Sequence, residues 1–348
     1  MTTATRFPNR FRTRLAAVAA LAVVAATVTA RVALAQDRSA PIGTGVVVIE
    51  TNLGYQGGRA AGTGLVLTSS GEVLTNNHVI RGATTIKIVL PGTGRSYTAK
   101  VVGYDVTDDV AVLQSASASN LKTVALGSSS RLTIGQLVKA VGNAGGTGSL
   151  VKTTGQITAL SRTITVNDDS GGTATLRNLI ETSANLQPGD SGGPLFNTAG
   201  KVIGMDSAAS SSSVYQDIST TDSYAIPINR ALAIARLIVS GKSSATVHVG
   251  ATGFLGISAV SAGDAPQYQY AQRGAIVAAV VSGSPADSAG LTMGDLITAI
   301  SGTKVTTPAA VSRVIRSKKP GTTITVSYVD TSGTAKTARV KLVSGPPQ

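Results

Sequence analysis

The sequence predicts an all-β domain followed by a small α+β domain, and three observations carry that expectation. From about residue 41 short runs rich in Val, Ile, Leu and Thr recur. Clusters of Gly, Ser, Asn and Asp separate them, and a single stretch of helical periodicity closes the series. Many short strands between turn-forming clusters argue for a barrel or a sandwich over an α/β sheet. With 348 residues, 42% of them apolar, the chain is long enough for one large core and a smaller one.

Taken in order, residues 1–35 read as an export segment. A basic stretch ends at Arg14, an apolar run of 16 residues covers 15–30, and small residues at Ala33 and Ala35 precede Gln36. Cleavage is expected after Ala35, with everything beyond it exported to the cell envelope or outside, and an uncleaved membrane anchor is the alternative. The first domain is assigned to 41–239, with strands expected over 46–50, 64–68, 85–90, 97–103, 110–114, 137–141, 155–160, 162–166, 178–182 and 201–205. Its helix is expected over 227–239, opened by Pro227, with a buried stripe of Ile228, Leu232, Ile234, Leu237 and Ile238, and stopped by Gly241. Residues 240–250 are short and polar and read as a linker, with His248 exposed or capping a turn.

The second domain is assigned to 251–343. Strands are expected over 255–259, 275–280, 296–300, 322–328 and 335–342, with short helices over 285–290 and 308–316, the latter burying Ala309, Val311 and Val314. A small sheet capped by two helices is large enough to fold as its own unit.

Composition excludes several classes of function. The chain has no Cys, so disulfide scaffolds, thiol nucleophiles and Cys-ligated metals are out. His78 and His248 are its only histidines, so a multi-histidine metal centre is not expected, nor is any cofactor. The formal net charge of +13 falls to +8 beyond residue 35, because five arginines and no acids lie in the leader. Basic runs interleaved with aromatics are missing, so nucleic acid is not an expected partner.

Three segments hold side chains that could do chemistry: Leu74-Thr-Asn-Asn-His78, Asp105-Val-Thr-Asp-Asp109-Val-Ala-Val-Leu113 and Gln187-Pro-Gly-Asp-Ser191-Gly-Gly-Pro-Leu195. A serine hydroxyl is a weak nucleophile at neutral pH. It needs an imidazole to take its proton and a buried carboxylate to hold the other ring nitrogen protonated. His78, Asp109 and Ser191 supply these in the order His, Asp, Ser, which belongs to the trypsin-like double β-barrel. Asp109 is preferred to Asp105 and Asp108 because it directly precedes an apolar run and can start a buried strand. The N–H groups of Gly189 and Ser191 are the expected oxyanion hole, since a tight turn without a Cβ at 189 lets both point one way.

These segments, with Gly62-Thr-Gly64, resemble the HtrA/DegP-type serine proteases. A PDZ domain is suggested by Gly253-Phe-Leu-Gly-Ile257, by Ser284-Pro-Ala286 with Ala289-Gly-Leu291, and by Gly294-Asp-Leu-Ile297 with Ile300-Ser-Gly302. The resemblance implies an envelope endopeptidase that cleaves unfolded or misfolded polypeptides and commonly assembles as a trimer. It also implies C-terminal peptides as ligands of the loop Phe254, Leu255, Gly256 and Ile257, which would take the peptide carboxylate. A weakly active or non-proteolytic chaperone on the same scaffold is the alternative.

Two departures from the family pattern stand out. Asp190 replaces the usual Asn before the nucleophile, so it pairs with an ammonium freed at Ile42, is hydrogen-bonded locally or is reached by a basic side chain. Asn185 and Leu186 fall at the floor of the primary specificity pocket, which implies a small or medium uncharged P1 residue such as Ala, Val or Thr.

Overall fold

The computed structural model describes residues 41–55, 57–167, 173–209, 223–265, 267, 268, 270 and 273–347. The leader assigned to residues 1–35 lies outside them. Among the described residues no helix is long and apolar enough to cross a membrane.

Six strands form the first barrel: β1 (Val46–Leu53), β2 (Gly58–Val66), β3 (Glu72–Thr75), β4 (Thr85–Val89), β5 (Ser96–Asp105) and β6 (Val110–Ser115). Their order is β5-β4-β1-β2-β3-β6, and β6 returns to pair with β5. A second closed barrel has the order β10-β11-β12-β9-β8-β7, from β7 (Leu137–Gly142), β8 (Val151–Asn167), β9 (Thr173–Thr182), β10 (Pro194–Asn197), β11 (Val202–Ala209) and β12 (Ser223–Pro227). Closure removes the edges an open sheet would expose.

The apolar runs that made these strands legible have a specific cause in β6. Ala111 and Leu113 point into the first barrel, while Val110 and Val112 point into a separate core shared with the second barrel. A strand with period-two alternation between two cores has no polar face left. The strands expected over 155–160 and 162–166 are one strand, β8, whose register slips near Ser161, a non-glycine residue at φ +56°. The structure adds β3, β10 and β12, which were not expected from the sequence as strands; each is only four or five residues long.

Helix α1 (Asn77–Ile80) is a single turn after β3, and α2 (Ile228–Val239) follows β12. The buried stripe of α2 is Ile228, Ala231, Ile234, Ala235 and Ile238. Leu232 is only partly buried and Leu237 is 40% exposed, so the expected stripe is corrected. Alanines at i+3 and i+7 let the helix approach the barrels closely, and larger residues beside them turn outward. Gly241, at φ +73°, stops α2, with Lys242 N–H donating to the Leu237 carbonyl.

Within the segment expected as a linker, β13 (Val247–Val249) adds to the first barrel's sheet beside β5. His248 is half-buried there, with its ring 4.9 Å from that of Tyr104, and not at an exposed turn. Burial pushes its pKa below the ordinary imidazole value.

The remaining chain forms a five-strand path of β15 (Ile257–Val260), β16 (Ala275–Val280), β17 (Leu296–Ile300), β19 (Thr323–Val329) and β20 (Ala335–Lys341), with β18 (Thr303–Lys304) on β17. A separate pair joins β14 (Thr252–Phe254) to β21 (Val343–Gly345). Helices α3 (Pro285–Ser288) and α4 (Pro308–Arg316) are capped by the Ser284 and Thr307 hydroxyls. Helix α4 buries Ala310, Val311, Val314 and Ile315, whereas Ala309, expected inside, faces solvent.

Candidate active site

Two ends of strands and one glycine-rich loop converge where the barrels meet. Asp109 stands at the entry to β6, at φ +54°, a left-handed conformation that Asp tolerates better than most residues. Its carbonyl accepts a 2.9 Å bond from the Asn76 amide. One carboxylate oxygen, Oδ1, takes the His78 backbone N–H at 2.9 Å, and the other, Oδ2, lies 2.7 Å from His78 Nδ1. A carboxylate can only accept, so Nδ1 carries the proton and Nε2 is left with its lone pair. Asp109 Oδ2 also accepts the Ser207 hydroxyl at 2.8 Å.

The neighbouring acids are otherwise engaged. Asp105 Oδ1 accepts the Thr107 and Asp108 N–H groups and its Oδ2 the Thr246 hydroxyl, while Asp108 pairs with Arg230 on α2. Among these three acids, only Asp109 bonds the imidazole.

Ser191 follows a turn in which Asp190 N–H donates to the Gln187 carbonyl and Gly193 N–H to the Asp190 carbonyl. Its own carbonyl takes the Thr63 N–H at 2.8 Å, and its hydroxyl lies 3.4 Å from the Ser207 carbonyl. Gly189 adopts φ +100°, and a Cβ there would sit 2.2 Å from the Asn143 carbonyl oxygen. No acceptor of the described chain takes the N–H groups of Gly189 or Ser191.

Thr63 is the hub that sequence reading missed, although it lies inside the quoted Gly62-Thr-Gly64. It is fully buried. Its hydroxyl donates to the Gly189 carbonyl at 2.7 Å and accepts the Asn143 N–H at 2.9 Å, and its carbonyl accepts the Thr75 hydroxyl at 2.7 Å. Ser207 was missed too, because a serine in an alternating strand carries no local signal of a distant partner.

The residues assigned to the specificity pocket separate. Asn185 is exposed and accepts the Gln187 side-chain amide at 2.9 Å, whereas Leu186 is 3% exposed and packs in the second barrel's core. Asp190 is bonded locally, its Oδ2 accepting the Gln187 N–H at 2.8 Å, and burial raises its pKa above the usual carboxylate value. Gln187 N–H is that local partner. Residues 210–222, which follow β11, lie outside the described residues.

In the second domain, Leu255 is buried and Gly256 adopts φ +88°, where a Cβ would lie 2.2 Å from that of Ser284. The N–H groups of Leu255 and Gly256 have no acceptor in the described chain. Ile257 begins β15, which among the described residues pairs only with β16 and so leaves its other edge open. Phe254 differs from its neighbours: its ring stacks on Tyr55, centroids 4.8 Å apart and 13° from parallel.

Paired barrels with a His–Asp contact and a glycine-bounded serine between them define a trypsin-like fold, here followed by a PDZ fold. Family profiles agree: the trypsin-like peptidase domain matches residues 62–205 and the PDZ domain residues 253–342. Serine protease PepD of Mycobacterium tuberculosis (strain ATCC 25618 / H37Rv) is 34% identical over 313 residues, covering 85% of this chain and 63% of the relative. Serine protease Do-like HtrA of Lactococcus lactis subsp. lactis (strain IL1403) is 35% identical over 292 residues, covering 81% and 70%. A solved variant of the HtrA-type protease AlgW with tripeptide is 28% identical with a TM-score of 0.50, covering 88% of this chain and 95% of that one. The chain belongs to the HtrA-type serine proteases. It spans 63% and 56% of the length of two of its curated relatives, PepD and a Haemophilus influenzae periplasmic protease.

Proposed function

We propose that the protein is a serine endopeptidase of the extracytoplasmic space that hydrolyses unfolded or misfolded polypeptides, with Ser191 as nucleophile, His78 as base and Asp109 as orienting carboxylate. The observation that carries this reading is the two-point grip of Asp109 on His78, which fixes the ring by its backbone and its Nδ1 together. As Ser191 Oγ attacks the scissile carbonyl carbon, its proton passes to His78 Nε2, and the Asp109 carboxylate stabilises the imidazolium. The carbonyl oxygen gains the negative charge and is met by the Gly189 and Ser191 N–H groups. Collapse returns the proton from His78 to the leaving amine, and water then repeats the sequence on the acyl-enzyme.

The second domain is proposed to bind apolar C-terminal peptides by adding a strand to the open edge of β15, with the carboxylate on the Leu255 and Gly256 N–H groups and Ile257 starting the edge. Relatives named periplasmic proteases support the location. A small or medium uncharged P1 residue, assembly as a homotrimer and cleavage of the leader after Ala35, with a retained membrane anchor as the alternative, belong to the same proposal.

A serine-directed fluorophosphonate tests it. Labelling of the mature protein at Ser191, and none in Ser191→Ala, is the expected result. Ser191→Ala and His78→Ala should each lower casein hydrolysis by on the order of 10^6-fold if the residues act as a unit. Wild-type turnover in Ser191→Ala would overturn the mechanism.

A further inference from the structure

Beneath the nucleophile loop lies a carboxyl group that the proposed mechanism does not use. Asp206, in β11, is 0% exposed, and neither of its side-chain oxygens has a hydrogen-bond partner. Its backbone is joined to the loop by two bonds, donating to the Gly193 carbonyl and accepting the Gly192 N–H, both at 2.7 Å. The next residue, Ser207, holds Asp109 by its hydroxyl and meets the Ser191 hydroxyl with its carbonyl. Asp206 is therefore one residue, or one pair of backbone bonds, from each group of the proposed triad's support.

The surroundings do not suit an anion. The nucleophile loop brings Asp190, a second carboxyl, which raises the cost of a charge on Asp206. On β12 the ladder partner is Ala225, flanked by Ile226 and by Tyr224, and β10 carries no titratable group. On α2, Arg230 is bound to Asp108 and Arg236 faces solvent. Of the Asp109–His78 pair, Asp109 accepts the hydroxyl of Ser207, the residue after Asp206. A carboxylate here would be buried without a donor or counter-ion among the described residues, which is costly, whereas the neutral acid avoids most of that cost.

We propose that Asp206 is a positioning residue for the nucleophile loop that works as the neutral acid, and that its ionisation unseats Ser191. The proposal deepens the reading of Ser191 as nucleophile and rests on it. Burial first, and the Asp190 carboxyl second, push the Asp206 pKa well above the ordinary carboxylate value. The native state thus holds a proton that the unfolded chain releases. Stability from this group is complete below the unfolded carboxylate pKa and is lost as pH rises through the raised one.

The test compares the wild type, Asp206→Asn and Asp190→Asn in kcat against pH between about pH 5 and pH 10 on one peptide substrate. Wild type is expected to lose activity reversibly on the alkaline side. Asp206→Asn, an uncharged isostere, should keep its neutral-pH rate within about threefold and lose that alkaline limb. Asp190→Asn, which removes the neighbouring carboxyl that raises the Asp206 pKa, should move the limb to lower pH. A second arm is independent of catalysis: thermal midpoints of Ser191→Ala and of Ser191→Ala with Asp206→Asn are followed over the same range. The first should fall as pH rises and the second should fall less. An alkaline limb identical in wild type and Asp206→Asn, with identical midpoint slopes, would overturn the proposal. So would a changed P1 preference at an unchanged pH profile, which would put the carboxyl against substrate. If the fluorophosphonate fails to label Ser191 but the midpoint slopes differ as expected, the nucleophile reading fails and the neutral acid stands.

Discussion

The loop 187–193 and the loop 254–257 present the same chemical feature, a pair of backbone N–H groups without an acceptor, on different foundations. The first is pinned from three segments: Thr63 in β2 binds both Ser191 and Gly189, Asn143 just beyond β7 closes on Gly189, and β11 bonds Gly192 and Gly193. The second rests on local contacts, with Leu255 and Gly256 carbonyls taking the Ala286 and Val281 N–H groups and Ser284 packed under Gly256. A site that must stabilise charge only in a transition state needs donors fixed in advance. A site that holds a ground-state carboxylate can settle on its ligand, and an open strand edge supplies the rest of the binding.

The largest effect that would break this contrast lies in the first loop's partner. Asp109→Asn should lower kcat by about 10^4-fold, because the imidazole loses its fixed tautomer. Asp108→Asn, which cuts a partly exposed pair with Arg230, should cost less than about tenfold. A larger loss in Asp108→Asn would reverse the assignment of the carboxylate.

A methyl group separates the two loops more sharply. Gly189→Ala meets the Asn143 carbonyl and should reduce kcat by about 10^2-fold to 10^3-fold, with KM little changed. Gly256→Ala meets Ser284 and should weaken C-terminal peptide binding by about tenfold, read by fluorescence anisotropy, while hydrolysis of a small peptide continues. Equal loss of both activities in either variant would show that the loops are not independent.

The smallest effect concerns the stack between Tyr55 and Phe254. Tyr55→Ala should lower stability by about 1 kcal/mol in urea unfolding, the scale of an aromatic pair beyond its buried area. A change below about 0.3 kcal/mol would mean that Phe254 needs no support from the barrel.

The sequence made visible what is local. His78 and Ser191 announce themselves by neighbours that shape a turn, and Asp109 by its place before Val110-Ala-Val-Leu113. Thr63, Ser207 and Asp206 gave no such sign, because each acts on partners from other strands, and a buried Thr, Ser or Asp has no periodic signature. Fold followed the same rule. Apolar runs identified β1 and β6, while β3, β10 and β12 are too short to show alternation. In α2 the alanines that make close packing feasible were outweighed by larger neighbours. The segment 247–249 became a strand only because β5 has an edge to receive it.

One contact joins the segment after the first helix to the far end of the described chain. Gly82 N–H, just beyond the helix that bears His78, donates to the Pro347 carbonyl at 2.8 Å, after β21 has paired with β14. Both barrels precede residue 347 in the chain, so during synthesis they emerge before this bond can form. The stretch of protein around His78 therefore gains this hydrogen bond only after residue 347 has been made, and a ribosome-bound chain carries both barrels before it carries the bond.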